Sequence, residues 1–398
     1  VSVRVAASWF DEGAAASDID TLAHAYHELQ DALNQQFSRQ HAYLLGTPAQ
    51  TGLDLLEQSL PYGLEMPILH DDLRETIQHN SPQGRNEVFT APDAQNAHLE
   101  ELDWLQCYDG KWMYAACLNH APAGGYVHRV GLQTFDEWAI GFYHFSAEVP
   151  PDWAHIGLLP MWDTRERKTV YPWRPGQIFG GWATGAELQL AQRSGWEVYV
   201  DEAIIWPDAQ KLNPLKSWRD HLVAAREHAE KREQSTDLDT QRKARLIATA
   251  IRHILIDTIG ALARRAGPER HLTPYDQKNT IPEDSYNLDF YDEGMGWSID
   301  RPLAGWAVRF QHPEISAMVW GRARARLAKF ALALPVESLI LARTDALWLD
   351  RVIAGLPAHV AKPGEWRPKE YLPGPHIPAP RDTSDALKLM RQARGKRE

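Results

Sequence analysis

Two aspartates stand out because each follows an apolar, strand-like segment. Asp109 ends the stretch LQCYD before an aromatic turn, and Asp345 lies at the bend of LILARTDALWL. A carboxylate at the tip of a buried hairpin is costly to desolvate unless a cation or hydrogen bonds neutralise it. Two such carboxylates from separate strands could bind a pair of Mg²⁺ ions, which clamp the attacking and leaving oxygens of an in-line phosphoryl transfer. Aspartate is also common in plain turns, so residue type alone leaves both roles open.

The elements before and after Asp109 can be predicted from hydrophobic periodicity. Residues 18–39 have helical spacing with acidic residues in the first turn. Residues 40–100 are predicted to be a loop-rich connector that ends in a short strand near Glu87–Phe89. Several strands are predicted between 101 and 210, with one helix, TGAELQLAQRSG, ended by a glycine cap. Asp109 is thus expected at the end of a strand.

The elements that precede Asp345 are mainly helical. Residues 215–265 form two helical segments broken around 234–237, which predicts an αα-hairpin. A helix over 313–333 then leads into the strand-turn-strand segment that contains Asp345. This order predicts an α+β fold with a helical insertion. Because GxxxxGK[ST], GxGxxG and GxSxG are all absent, P-loop, dinucleotide-binding and serine-hydrolase chemistry have no supporting motif.

Composition and charge limit the class of protein. The 398 residues are 44% hydrophobic and 24% charged, which predicts two to three globular units. Neither a long apolar run nor a signal peptide is found, and only two cysteines occur, so we expect a soluble, cytoplasmic protein. Residues 1–105 hold 4 basic and 17 acidic side chains, so the formal net charge of −11 comes from the front of the chain. Basic stripes over 242–265 and 322–329 either contact phosphates or are solvated helix faces.

Three segments resemble the polymerase motifs of family B DNA polymerases. Residues 109–115, DGKWMYA, are similar to DxxSLYP, and 343–346, RTDA, are similar to DTDS. Residues 252–260 align with the fingers motif KxxxNSxYG and keep a basic first residue and the final glycine. Gly84-Arg85 and the KEY segment at 369–371 match shorter family elements in the same order. The resemblance covers about residues 80–372 and is closest to the protein-primed and mobile-element branch, without a preceding exonuclease domain.

The resemblance implies a right-hand arrangement, with an antiparallel palm sheet and its helices, a helical fingers insertion and a short or truncated thumb. The implied regions are a 1–100 acidic N-terminal helical and connector region, a 101–212 first part of the palm, 213–268 helical fingers, a 269–356 second part of the palm, and a 357–398 thumb-like basic tail.

The resemblance also implies roles at the reaction centre. Asp109 and Asp345 would be the catalytic residues that hold two Mg²⁺ ions, for which Mn²⁺ could substitute. Tyr114 would pack beneath the incoming sugar and exclude a 2′-hydroxyl. Arg252 would contact the triphosphate of the dNTP, with Arg245 or Arg242 as a second contact one or two helical turns earlier.

Nucleic-acid contacts are implied for two further segments. Lys369 and Tyr371 would contact the primer end. The 322–329 stripe, with Arg322 and Arg326, would lie along template or primer phosphates, where each cation displaces counterions. The expected partners are a DNA primer-template, dNTPs and a priming or accessory protein, and the expected location is cytoplasmic and nucleoid-associated, with no membrane contact.

Departures from the motifs keep a second function open. Arg343 replaces the first carboxylate of DTDS, and Ile256, Asp257 and Ile259 replace the Asn, Ser and Tyr of the fingers motif. The expected function is template-directed DNA polymerisation by two metal ions. The alternative is a catalytically degenerate palm that acts as a nucleic-acid-binding or replication-partner scaffold.

Overall fold

The computed structural model describes most of the chain. The described residues are 8–11, 17–37, 42–64, 66–133, 135–136, 139–264, 269–274, 286–291, 296–301, 310–356 and 362–395. Parts of the implied acidic N-terminal region 1–100, of the second part of the palm 269–356 and of the basic tail 357–398 lie outside these ranges. No helix in the described ranges is both long and apolar enough to cross a bilayer.

Helices and strands occur largely in separate runs along the chain, which is the predicted α+β order. The helices are α1 (Ile19–Gln36), α2 (Pro48–Ser59), α3 (Asp71–Asn80), α4 (Met113–Cys117), α5 (Gly185–Arg193), α6 (Ala209–Leu212), α7 (Lys216–Arg232), α8 (Leu238–Leu262), α9 (Pro313–Leu332) and α10 (Thr383–Gly395). The strands are β1 (Arg85–Val88), β2 (Glu101–Gly110), β3 (Val127–Gln133), β4 (Ile140–Glu148), β5 (Met161–Asp163), β6 (Lys168–Val170), β7 (Ile178–Thr184), β8 (Glu197–Trp206), β9 (Glu269–Pro274), β10 (Tyr286–Tyr291), β11 (Gly296–Arg301), β12 (Leu339–Thr344), β13 (Ala346–Leu349) and β14 (Trp366–Pro378).

A five-stranded antiparallel sheet of order β1-β12-β13-β2-β14 forms the centre of the site region. Its two faces follow the alternation of side chains along a strand. Tyr108 and Leu347 pack on one face with Leu327 of α9. The neighbouring residues in sequence, Cys107 and Trp348, pack on the opposite face with α10. The sheet is therefore buried on both sides, and only its strand ends and turns can open to a ligand.

A second antiparallel sheet, of order β3-β8-β4-β7, packs against the same helix α9 through α5 and β7. β9, β10 and β11 form a separate three-stranded antiparallel sheet, and β5 and β6 pair as a short hairpin. All strand pairs in the described chain are antiparallel.

The helical part of the molecule is built around α8. This helix packs on α2, α7 and α1, and its apolar residues, such as Ile247, Ile251 and Ile254, lie in one buried cluster with Leu29 of α1. The break between α7 and α8 occurs at 233–237, and Asp237 caps α8 by accepting the backbone N–H of Thr240. The predicted helical pair is therefore confirmed.

The connector predicted over 40–100 is wrong in part, because α2 and α3 lie within it. Thr47 caps α2 and Pro48 occupies its first turn, where a missing N–H costs nothing. The turn signals at 60–63 and 80–84 correctly mark where the helices end. The two helices are only 12 and 10 residues long, so their periodicity is too brief to separate from loop sequence.

Candidate active site

The two aspartates lie on adjacent strands of the central sheet. β13 pairs with β2 so that Ala346 is opposite Asp109, and the backbone N–H of Gly110 donates to the Asp345 carbonyl oxygen at 3.3 Å. Both aspartates line one cavity of about 210 Å³, which we call the aspartate cavity. The structure thus brings together two carboxylates that are more than two hundred positions apart in sequence.

A tight turn presents Asp345 to this cavity. β12 ends at Thr344, whose φ of 53° lies in the left-handed region that β-branched residues rarely adopt. The Thr344 hydroxyl donates to Asp345 Oδ1 at 3.0 Å and fixes the carboxylate. Gly84 packs on the turn, and a Cβ there would lie 2.9 Å from the Thr344 Cα. The glycine of the Gly84-Arg85 segment is therefore needed for close backbone approach.

Burial and mutual repulsion act on the carboxylate pair. Burial raises the pKa of Asp345, and the negative charge of Asp109 raises it further. Asp109 is only 8% exposed, and its Oδ2 lies 3.3 Å from Lys369 Nζ and 3.8 Å from Arg367 Nη2. Positive charge close to the two carboxylates therefore stabilises their ionised forms.

Cations outnumber carboxylates in the lining of the aspartate cavity. Four cationic side chains face the two aspartates, and they are Arg226, Arg252, Arg367 and Lys369. Arg252 is exposed on α8 and forms no ion pair with any residue of the described ranges. Such a lining suits a polyanion that arrives together with divalent cations.

Arg226 is a cavity residue that the sequence analysis missed. Its guanidinium lies 4.2 Å from the centre of the Trp112 ring, and its Nε is 2.8 Å from Glu230 Oε1. The other Glu230 oxygen lies 2.9 Å from Lys111 Nζ, so α7 is tied to the turn that follows Asp109. Burial lowers the pKa of Arg226 to about 10. No motif marks Arg226, because its position depends on how α7 packs.

Arg367 was also missed, although a sequence signal was available. It lies two positions before Lys369 on β14, and alternate residues of a strand share a face. The register places Arg367 directly opposite Asp109. The period of two in the segment RPK could therefore have added Arg367 to the predicted set.

Tyr114 lies on the short helix α4, directly after the turn that follows Asp109. Trp112 adopts a left-handed backbone conformation at φ 51°, which turns the chain from β2 into α4 and directs Tyr114 to the cavity. Burial raises the pKa of the Tyr114 hydroxyl, and the charge of Asp345 adds to the effect. The phenol is therefore neutral and packs as an aromatic wall.

Arg242 and Arg245 line a different cavity from Arg252. The arginine cavity, as we name it, has a volume of about 1390 Å³ and is lined by Arg242 and Arg245 together with Asp18 and Arg394. Arg245 and Arg252 share a face of α8 but are separated by two turns, or about 10 Å. Their contact with a triphosphate stays a prediction.

Lys369 and Tyr371, which were both expected at the primer end, lie in different surroundings. Lys369 lines the aspartate cavity, whereas the ring of Tyr371 stacks on Trp104 with centroids 5.6 Å apart and is 49% exposed. Arg343, the departure from the third motif, contacts Met390 Sδ of α10 at 3.7 Å and does not line the cavity. Its guanidinium is therefore directed away from the carboxylate pair.

The basic stripe on α9 is divided between buried and exposed residues. Arg322 donates to the carbonyl oxygens of Cys117 and His120, at 3.2 and 2.9 Å. Arg326 is exposed and donates to the Gly364 carbonyl oxygen at 3.0 Å. The roles of Arg322 and Arg326 in binding nucleic acid stay predictions.

Arg324 corrects the prediction that the whole 322–329 stripe lies along phosphates. It is 3% exposed, and its Nε lies 2.8 Å from Glu187 Oε1. Glu187 also accepts from Thr184 in the capping box of α5. Because two positions on a helix differ by about 200°, Arg324 faces the core, whereas Arg322 is half-buried and Arg326 is exposed.

The donor set fits a divalent cation. Mg²⁺ takes oxygen ligands and is usually held by one or two carboxylates, with waters and substrate phosphates completing its shell. Asp109 and Asp345 supply the carboxylates, and their mutual repulsion favours a bridging cation. Within the described ranges, no group of three or more His, Cys, Asp or Glu side chains is placed to hold a metal ion, so the two aspartates are the only protein carboxylates of this cavity.

An antiparallel sheet that pairs two carboxylates beside an arginine-bearing helical hairpin is suited to metal-assisted phosphoryl transfer. Residues 15–240 match the family described as DNA polymerase type B, organellar and viral. Because this match covers more than half of the chain, the chain belongs to this family, and the resemblance seen in the sequence is confirmed. No curated protein matches the sequence.

Several solved structures of Phi29 DNA polymerase share the fold. The orthorhombic crystal form has a TM-score of 0.55 at 15% identity and covers 86% of this chain and 55% of that chain. The complex with primer-template DNA and incoming nucleotide substrates has a TM-score of 0.54 at 14% identity and covers 83% and 53%. The chain thus spans about half the length of these structures.

Proposed function

We propose that this chain is a template-directed DNA polymerase that transfers a deoxynucleotide to a primer 3′-hydroxyl by a two-metal mechanism. The observation that carries the proposal is the meeting of Asp109 and Asp345 in one cavity with Arg252. Membership of the polymerase B family supports the reaction class, and two of the similar Phi29 DNA polymerase structures are complexes with primer-template DNA, one of them with incoming nucleotide substrates.

The aspartates would hold two Mg²⁺ ions. When bound there, the ions would neutralise charge on the attacking and leaving oxygens. Arg252 and Arg226 would contact the triphosphate, since both line the cavity and neither approaches the carboxylates as Lys369 does. Lys369 would orient Asp109 and lie near the primer end. Tyr114 would form the wall beneath the sugar.

The proposed region assignment follows from these roles. The central sheet with α9 would be the palm, α7 and α8 the fingers, and the segment from 357 onward the thumb-like tail. β14 pairs along β2 within the central sheet, so part of that tail would also support the aspartate cavity.

A primer-extension assay tests the activity. The parent should incorporate deoxynucleotides with Mg²⁺ or Mn²⁺, and Asp109→Asn and Asp345→Asn should each abolish incorporation. Asp103→Asn is the matched control, because Asp103 is exposed on the same strand and does not line the cavity. A parent that incorporates nothing, or variants that remain active, would contradict the proposal.

The second candidate is a nucleic-acid-binding scaffold without catalysis. It is favoured by the ion pair between Asp109 and Lys369, since a carboxylate that is already neutralised binds metal less strongly. The absence of the Asn, Ser and Tyr of the fingers motif supports it as well. A parent that binds primer-template DNA tightly but never extends it would establish this alternative.

A further inference from the structure

A third cavity lies beyond the aspartate cavity along α8. It has a volume of about 780 Å³ and is lined by Trp162, Trp182 and Trp320, and we call it the tryptophan cavity. Arg264 also lines it, and no Asp or Glu of the described ranges does. In a chain of net charge −11, a large cavity without a lining carboxylate is compatible with a bound polyanion.

One face of α8, continued by its C-cap residue Ala263, lines all three cavities in succession. The steps between the residues that line them are three or four positions, so these residues lie in one row on the helix. The pairs in order are Arg245 and Thr249 at the arginine cavity, Arg252 and Ile256 at the aspartate cavity, and Gly260 and Ala263 at the tryptophan cavity. The tryptophan cavity is therefore the next space along the row from the aspartate cavity, on the side away from Arg245.

The tryptophans are arranged to present aromatic surface. Trp162 is 51% exposed on β5. Trp182 stacks on the fully buried Phe142, with centroids 5.2 Å apart and an interplanar angle of 12°, so its ring is held in one orientation. Trp320 of α9 is buried. A fixed ring beside an exposed ring can accept a flat apolar group at small entropic cost.

We infer that the tryptophan cavity binds unpaired nucleobases of the single-stranded template. The inference rests on the proposed function, in which Arg252 contacts the triphosphate. Ile256 lines the same cavity one helical turn further along α8 and would then lie near the nascent base pair. The strand that enters beyond that pair must be unpaired, and its bases can stack on Trp162 and Trp182. Base stacking on aromatic side chains is tolerant of sequence, which a template site requires.

Binding of short single strands to the full chain tests the inference without catalysis. The probes are a labelled single-stranded oligothymidylate and a chain of equal length that carries abasic sites, both in metal-free buffer. The parent should bind the oligothymidylate more tightly than the abasic chain. Trp162→Ala should weaken binding of the oligothymidylate by about five-fold or more and leave the affinity for the abasic chain unchanged.

Tyr199→Ala is the matched control, because Tyr199 is an aromatic residue of β8 that is 56% exposed but does not line the cavity. It should bind both probes like the parent. Equal affinity of the parent for both probes, or no effect of Trp162→Ala, would overturn the inference. Cross-linking of a 5-iododeoxyuridine oligonucleotide to the unmodified chain needs no variant: adducts at Trp162 or Trp182 support the inference, and adducts only elsewhere contradict it.

Primer-templates with long and short unpaired template ends separate this inference from the proposed function. In the parent, a longer unpaired end should tighten binding, and in Trp162→Ala it should not. If the parent extends primers but the length of the unpaired end has no effect on binding, the inference fails and the polymerase function stands. If the strand binding depends on Trp162 but no extension occurs, the polymerase function fails and the site stands.

Discussion

Lys369 of β14 reaches Asp109 of β2, with Nζ 3.3 Å from the carboxylate Oδ2. The contact crosses between neighbouring strands, and Arg367 approaches the same oxygen at 3.8 Å. Asp109 is thus held by protein cations, while Asp345 is fixed by the Thr344 hydroxyl. The two carboxylates of the cavity therefore differ in environment, and a metal ion at Asp109 has to compete with Lys369.

Removal of this competing charge should change metal affinity. Lys369→Gln is expected to tighten Mn²⁺ binding by about three- to ten-fold, because one partly exposed charge contributes on the order of 1 kcal/mol. Mn²⁺ titration followed by electron paramagnetic resonance measures the dissociation constant. Arg351→Gln, which removes an exposed charge outside the cavity, should leave it unchanged. Weaker Mn²⁺ binding in Lys369→Gln would show that the lysine supports the metal site instead.

Tyr114 should control the choice of sugar. Tyr114→Ala is expected to raise ribonucleotide incorporation relative to deoxyribonucleotide incorporation by about ten-fold or more, because the ring no longer fills the space of a 2′-hydroxyl. Single-nucleotide extension with each substrate gives the ratio. Tyr114→Phe keeps the ring and should keep the ratio of the parent. An unchanged ratio in the alanine variant would remove Tyr114 from the proposed role.

The buried pair of Arg324 and Glu187 should be needed for stability. Glu187→Gln is expected to lower the free energy of unfolding by about 3–5 kcal/mol, because it leaves the Arg324 charge buried and unpaired. Urea unfolding measures the loss. The control Glu197→Gln, at an exposed position of β8, should change the free energy of unfolding by less than about 0.5 kcal/mol. The double variant Glu187→Met with Arg324→Met should recover part of the loss. A loss in Glu187→Gln as small as that of the control would contradict the structural role.

His155 should make stability depend on pH. Its Nε2–H donates to the Leu334 carbonyl oxygen at 3.0 Å, and its Nδ1 accepts from the Ile156 backbone N–H at 2.9 Å, so the ring is held neutral. Burial lowers the pKa of His155, and the charge of Arg85 lowers it further. The unfolded chain therefore takes up the proton first as the pH falls, and stability is lost below about pH 6.5.

The His155 contribution is measured as the change in unfolding midpoint between pH 7.5 and pH 5.5. The parent should lose more stability over this interval than His155→Gln does. His98→Gln, at an exposed histidine, should behave like the parent. The same pH dependence in the parent and in His155→Gln would show that other groups are responsible.

Much of the fold follows from local patterns in the chain. The helix over 313–333 and the strand ends at Asp109 and Asp345 were predicted because apolar periodicity and turn chemistry are properties of a short segment. The two helices within 40–100 were missed because each is too short for a clear period.

The sequence by itself indicated most of the helices and strands, the family, and the residues that match its motifs. Only the tertiary structure decided that Arg226 joins the aspartate cavity, that Arg242 and Arg245 line another, and that Arg324 is buried while Arg326 is exposed. The reason is that periodicity fixes which residues share a face, whereas the packing of distant segments decides what covers that face and which charges it neutralises.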